Sequence, residues 1–259
     1  MITREFTLDS GGIPLRGTVV LPDGDGDRPL TVLCHGIPSG APAKGDPGYE
    51  ALAHRLARHG SAACYFNFRG TGLSGGDFSL PGWVSDLETV LDAAREPRGA
   101  FIGCDPARTA LMGFSGGGAV SIIYATRGGE LAGLAALSSP SDFSRMLSRE
   151  AMSGFIAHAR AIGIIRDPGY PPSEEEYYRE MLSCAPVDVV GELAPTPLLI
   201  VHGDRDDTVP VQEAYRLYEA AAEPKELFIV EGGGHKLRLD DRAMAKAVTW
   251  LLQKLNLGN

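Results

Sequence analysis

The sequence predicts an α/β fold, a mostly parallel sheet with helices on both faces. Three features of its 259 residues point there. Short apolar runs alternate with longer stretches of helical periodicity along most of the chain. A serine flanked by glycines, Gly113-Phe114-Ser115-Gly116-Gly117, stands between an apolar run, Ala110 to Gly113, and a helix-compatible stretch, Ala119 to Ala125. Two later apolar runs end in polar turns, one crowded with aspartates and one a glycine-rich loop bearing a histidine. That is the sheet edge where open α/β folds gather ligands and catalytic groups.

The elements follow in order. Ile2–Leu8 and Ile13–Leu21 read as strands joined by Asp9-Ser10-Gly11-Gly12, a hairpin signal that would add an antiparallel edge. Next come strand 30–35, helix 48–60, strand 62–68, helix 81–96, strand 108–113, the helix after Ser115, and strand 132–138. Between Ser139 and Pro195 the alternation lapses. Phe143 to Ile164 and Glu174 to Cys184 look helical there, joined by Arg166-Asp167-Pro168-Gly169-Tyr170-Pro171-Pro172. The alternation resumes with strand 197–202, helix 211–222, strand 226–230 and helix 240–256. The expected organisation is a core of residues 1–138 and 196–259, with an insertion at 139–195.

A serine between glycines at a strand-to-helix junction is driven into a tight turn that pushes its hydroxyl out of the sheet. Only glycine tolerates the close approach of the returning backbone. A hydroxyl presented over a helix N-terminus suits a nucleophile. Its attack on a carbonyl makes an oxyanion that needs aimed N–H donors. One is expected at Gly116, the residue after the nucleophile, and the other in the loop after an early strand. Leu30-Thr31-Val32-Leu33-Cys34, closed by His35-Gly36-Ile37, is such a strand and loop. Pro197 to Val201 runs into His202-Gly203-Asp204-Arg205-Asp206-Asp207-Thr208-Val209-Pro210, which offers three candidate acids. Glu226 to Val230 runs into Glu231-Gly232-Gly233-Gly234-His235, placing a histidine where a general base must reach a neighbouring turn.

Together, Cys34-His35-Gly36-Ile37, Asn67-Phe68-Arg69-Gly70-Thr71-Gly72-Leu73-Ser74, the serine turn and the two loops resemble the α/β-hydrolase superfamily, in its esterase and acyl-hydrolase branch. The resemblance spans most of the chain. It implies about eight strands, Ser115 as nucleophile and His235 as general base. Its His-Gly-x-x-Asp-x-x-Val-Pro pattern selects Asp206 as the acid, leaving Asp204 and Asp207 to turn-forming or capping roles. Asp206 would then accept the imidazole N–H, fix its tautomer and stabilise the imidazolium. The family pattern also places the second oxyanion donor at the Ile37 amide. The insertion would sit over the serine as a small helical cap. Met146, Phe155, Ile156, Ile162, Ile164 and Ile165 would either face substrate or pack on the core.

The expected reaction is hydrolysis of carboxylic esters of small to medium acyl substrates through an acyl-enzyme. Peptidase, thioesterase and lactonase chemistry on the same triad stay open, as does a catalytically silent small-molecule receptor. A serine at the elbow speaks against an aspartate-nucleophile dehalogenase.

Other motifs fit their chemistry poorly. Gly70-Thr71-Gly72-Leu73-Ser74-Gly75 matches G-x-G-x-x-G, but the helical pattern begins only near Pro81, too late for a dinucleotide cradle. A glycine-rich bend is expected instead, with Arg69 in a structural ion pair. Asp23 to Asp27 mimics an EF-hand start, yet Arg28 and Cys34 stand where that loop needs glycine and glutamate. Gly40 to Gly45 has P-loop spacing with Asp46 in place of the lysine. His54, His59 and His158 read as surface residues, and His35 and His202 as loop buttresses. No histidine spacing suits a metal, and Cys34, Cys64, Cys104 and Cys184 form no C-x-x-C. Cys34 and Cys64 read as buried thiols.

No cofactor or metal is expected. A net charge of −9 argues against nucleic acid or an anionic membrane surface as partner. No apolar stretch reaches membrane-span length and the N-terminus has no signal-like apolar segment, so with unpaired cysteines a cytoplasmic setting is expected. The expected partner is a small-molecule ester. The oligomeric state is left open, a homodimer included.

Overall fold

Residues 1–40 and 46–257 are described by a computed structural model. Strands β1 (Ile2–Ser10) and β2 (Ile13–Leu21) form the expected hairpin. Its turn residues Gly11 and Gly12 have φ of +62° and +86°, which a two-residue turn between right-twisted strands demands. Six more strands follow: β3 (Arg28–Cys34), β4 (Ala62–Phe66), β5 (Cys104–Phe114), β6 (Gly133–Leu137), β7 (Leu198–Gly203) and β8 (Lys225–Val230). The sheet order is β1-β2-β4-β3-β5-β6-β7-β8. β2 runs antiparallel to both neighbours, and every other pair is parallel. This is the eight-stranded α/β-hydrolase sheet.

The helices are α1 (Gly48–Arg58), α2 (Leu80–Arg95), α3 (Gly116–Ala125), α4 (Met152–Ala161), α5 (Glu174–Leu182), α6 (Pro186–Val189), α7 (Gln212–Ala220) and α8 (Asp241–Lys254). Their starts are written locally. The Ser79 hydroxyl accepts from the Gly82 amide with Pro81 in the first turn of α2, and Asp240 accepts from the Arg242 and Ala243 amides at α8. Strands covered on both sides are apolar on both faces. In β7, Leu198 and Ile200 join the core under α2, α3 and α7, while Leu199 and Val201 join the one under α1 and α8.

Two elements differ from expectation. β5 begins at Cys104 rather than 108, because the β3 register shifts at Pro29/Leu30 and lets Arg28 and Pro29 pair with Cys104 and Asp105. Phe143 to Ile164 is not one helix: 3₁₀ turns at Phe143–Arg145 and Arg149–Ala151 precede α4. The side chains of Asp142 and Ser148 cap those turns, accepting from the Ser144 and Ala151 amides, so the chain restarts twice. The apolar residues of the 139–195 segment mostly enter the core. Phe143, Met152, Ile156, Ile164, Ile165 and Tyr177 are buried with Phe78 and Trp83, and Phe155 and Ile162 pack against them. Arg166 clamps this segment to the 70–75 bend, donating to the carbonyls of Gly70, Gly72 and Ser74 at 3.2, 3.0 and 2.7 Å.

Arg69 makes the ion pair expected of it. Its Nε and Nη2 donate to Asp86 Oδ1 at 3.0 and 2.7 Å, and its amide to Oδ2 at 2.8 Å. Asp86 is fully buried on α2, so removing its charge strands the guanidinium. Asp86→Ala is expected to lower the unfolding free energy by ~3–5 kcal/mol in a denaturant titration.

Candidate active site

From β3 the chain moves outward to β4, then crosses back to β5 and proceeds the other way. The crevice at that reversal, beyond the carboxyl ends of β3 and β5, is where this class of sheet holds ligands. Ser115 stands at the end of β5 with φ +52° and ψ −123°, a left-handed conformation that a non-glycine residue adopts only when its surroundings impose it. The imposition is visible. The Ser115 amide donates to Leu137 O at 2.8 Å, and the Ser115 carbonyl accepts the Gly118 amide at 2.9 Å as α3 begins. Gly117 lies against the end of β3, where a Cβ would overlap the carbonyl oxygens of Cys34 and His35.

The loop after β3 lies directly against the serine. A Cβ built on Gly36 would stand 3.6 Å from Ser115 Oγ, and one built on Gly116 would stand 3.6 Å from the Ile37 nitrogen. The structure therefore brings Ile37 and Gly116 together beside Ser115. His35 orients the connecting peptide. Its Nδ1 donates to Gly36 O at 2.8 Å, and its Nε2 accepts from the Phe68 amide at 3.2 Å with Thr71 Oγ1 at 3.1 Å. A trans peptide points its C=O and N–H oppositely, so tying the Gly36 carbonyl to the ring turns the Ile37 N–H away from it. Burial holds the His35 pKa down to about 4 from 6.5, although the Gly36 carbonyl favours the charged form.

Asp206 and His235 meet across the β7 and β8 exits. His235 Nδ1 donates to Asp206 Oδ2 at 2.8 Å, with Oδ1 at 3.1 Å. The approach depends on Gly203, where a Cβ would overlap the Gly233 carbonyl. Asp206 Oδ1 also accepts the Thr208 and Val209 amides at 2.9 and 2.8 Å. Burial opposes the Asp206 charge, but donors from His202, His235 and Val209 outweigh it and hold the carboxyl well below the usual range. Asp204 instead braces the histidine loop by accepting the Gly232 amide at 2.6 Å. Asp207 stays exposed beside Thr208.

Ser115 and His235 open onto one cavity of about 520 Å³. Its walls include Ile37, Tyr49, Phe114, Leu137, Leu237 and Arg238, and no residue of 139–195 contributes among the described ones. Sequence reasoning missed Tyr49 and Arg238. The Arg238 guanidinium sits 4.7 Å from the Tyr49 ring centre and is ion-paired to Asp46. Ser138 was missed too; it donates to the His235 carbonyl at 3.0 Å. Nothing in the spacing of these positions links them to Ser115.

The thiols are not competing nucleophiles: burial pushes Cys34 to about 12 and Cys184 to about 11. Among the described residues no group of His, Cys, Asp or Glu is placed to hold a metal, and no helix is long and apolar enough to cross a membrane. Residues 41–45 of the stretch with P-loop spacing lie outside the described residues.

The site can be set against known proteins. A sequence model of the prolyl oligopeptidase family matches residues 48–258. The uncharacterized protein YfhR of Escherichia coli O157:H7 is 28% identical over 200 residues, 75% of this chain. This chain covers 61% of YfhR, about three fifths of its length. The uncharacterized protein Rv2307c of Mycobacterium tuberculosis is 31% identical over 228 residues, 86% of this chain and 69% of that protein. Est1E of Butyrivibrio proteoclasticus, solved with ferulic acid bound, superposes with a TM-score of 0.71 at 24% identity, covering 97% of this chain and 99% of its own. That likeness is one of fold.

His35 yields a stability test. Its folded pKa lies below the ordinary value, so its contribution is complete above about pH 6.5 and lost as pH falls towards about 4. The loss is expected to be on the order of 2–3 kcal/mol. Denaturant unfolding of wild type and His35→Asn between pH 7 and 4 should show a shallower pH dependence in the variant.

Proposed function

The chain belongs to the prolyl oligopeptidase family and is a hydrolase of the α/β-hydrolase fold, and from that premise we propose that it cleaves carboxylic esters of small to medium acyl groups. Ser115 Oγ attacks the ester carbonyl carbon while His235 takes the hydroxyl proton. The Gly116 and Ile37 amides receive the oxyanion. Collapse expels the alkoxide, which leaves as the alcohol with the proton from His235. Water then attacks the acyl-enzyme, His235 again taking a proton, and the acid departs as Ser115 is restored. Asp206 keeps the His235 proton on Nδ1, which leaves Nε2 free to act as base.

The observation that carries this reading is the hydrogen bond of His235 to Asp206 at a cavity shared with a strained Ser115. The cavity volume lies in the range that takes small molecules. Est1E, which shares this fold, is solved with a carboxylic acid, ferulic acid, bound. The family name favours one second reading, attack on a peptide bond by the same groups.

p-Nitrophenyl acetate and butyrate should be turned over, with Ser115→Ala reducing kcat by roughly 10⁴-fold or more. Asp206→Asn should reduce it by about 10⁴-fold, since the wrong tautomer is then stabilised. Mass spectrometry should find a fluorophosphonate adduct on Ser115. Wild-type turnover no higher than that of Ser115→Ala would sink the proposal, and amide turnover above ester turnover would favour the peptidase reading.

A further inference from the structure

The geometry points to His202 as a positioning residue that holds the Asp206 carboxylate in the orientation from which it steers His235. This rests on the reading of Ser115, His235 and Asp206 as a triad. His202 lies at the end of β7 and is fully buried. Its Nε2 stands 2.8 Å from the Val209 carbonyl and 3.3 Å from Asp206 Oδ2. Both neighbours are acceptors, the carboxylate being already surrounded by N–H donors. The ring therefore carries its proton on Nε2, which donates to Val209 O with Asp206 Oδ2 close alongside.

The other nitrogen shows that the ring does more than fill space. Nδ1 is buried with no hydrogen-bond partner among the described residues. An unpaired buried acceptor is destabilising, and an aliphatic side chain of similar size would avoid it. What the imidazole adds is the N–H at Nε2.

That N–H controls both carboxylate oxygens. Oδ1 is held by the Thr208 and Val209 amides, and His202 anchors the Val209 residue through its carbonyl. Oδ2 accepts from His235 at 2.8 Å, and the only other ring nitrogen against it among the described residues is His202 Nε2 at 3.3 Å. Without His202, Oδ2 would be steered only by the ring it is meant to steer.

The test compares His202→Leu, which fills the site without a donor, with His202→Gln, whose amide NH₂ can take the place of Nε2–H. kcat and KM for p-nitrophenyl butyrate are measured together with cooperative thermal unfolding and the low-field NMR resonance of the His235 Nδ1 proton. His202→Leu should lose about tenfold or more in kcat with KM within about twofold, and His202→Gln should recover most of it. The Nδ1 resonance should shift or broaden in His202→Leu and return in His202→Gln. Wild-type kcat in His202→Leu, or equal impairment in both variants when both unfold cooperatively, would overturn the assignment. A wild type that neither turns over ester nor labels with fluorophosphonate defeats the triad reading instead. In that case an unmoved Nδ1 resonance in His202→Leu still overturns the positioning role, and a moved one upholds it. If His202→Leu does not fold, an Nδ1 resonance in His202→Gln that differs from wild type overturns the role, and a matching one upholds it.

Discussion

The serine turn at the carboxyl edge of the sheet depends on one steric constraint, the direct contact of the β3 exit with the first turn of α3. Gly117, having no Cβ, lets the start of α3 close on the carbonyls of Cys34 and His35, so the backbone entering α3 sits directly against the loop that carries Ile37. Ser115 is caught between that contact and the hydrogen bond its amide donates to Leu137 O, and its positive φ meets both demands. Strain of this kind costs about 1–3 kcal/mol and persists only where the surroundings over-determine it. Here the same contact that strains Ser115 also sets the Ile37 amide beside Gly116. The strained turn at Ser115 and the placement of the Ile37 and Gly116 amides beside it are therefore a single packing event.

The two buried histidines show how far local sequence can and cannot be read. Both precede glycine at the end of a strand, and both were expected to buttress loops. They do so with opposite tautomers. His35 carries its proton on Nδ1, because Gly36 O lies on that side and the Phe68 amide on the other. His202 faces two acceptors at Nε2 and, among the described residues, no partner at Nδ1. The choice is made by residues such as Phe68, 33 positions from His35, which no short window contains.

Steric signals were legible for the same reason these were not. A Gly-Gly hairpin turn and a glycine-flanked serine declare themselves within five residues, since the conformation excludes other side chains there. Three neighbouring aspartates could not be separated that way. Asp204 turns to the Gly232 amide and Asp206 to His235, a division set by how the β7 and β8 exits pack through Gly203. The family pattern, not the residues themselves, singled out Asp206. The 143–164 stretch misled because its apolar spacing is helical throughout, while Asp142 and Ser148 offer capping oxygens that stop the helix from propagating.

The cavity wall follows from where the apolar surface of the insertion went. With Phe143, Ile156, Ile164 and Ile165 drawn into the core on the α2 and α3 side, the cavity opens towards α1 and the segment before α8. Its wall carries Arg238, Asp46 and Lys236: Arg238 lies on the Tyr49 ring, and its hydrogen bond to Asp46, set against partial burial, keeps that carboxyl below its ordinary range. Burial pushes the Tyr49 hydroxyl up to about 12, so it stays protonated. Asp46 thus offsets the Arg238 cation, while Lys236 adds an exposed positive charge to the wall. On the proposed ester reading, Ile37, Phe114, Leu137 and Leu237 offer the acyl group apolar contact, and buried N–H donors hold the Asp206 charge in place.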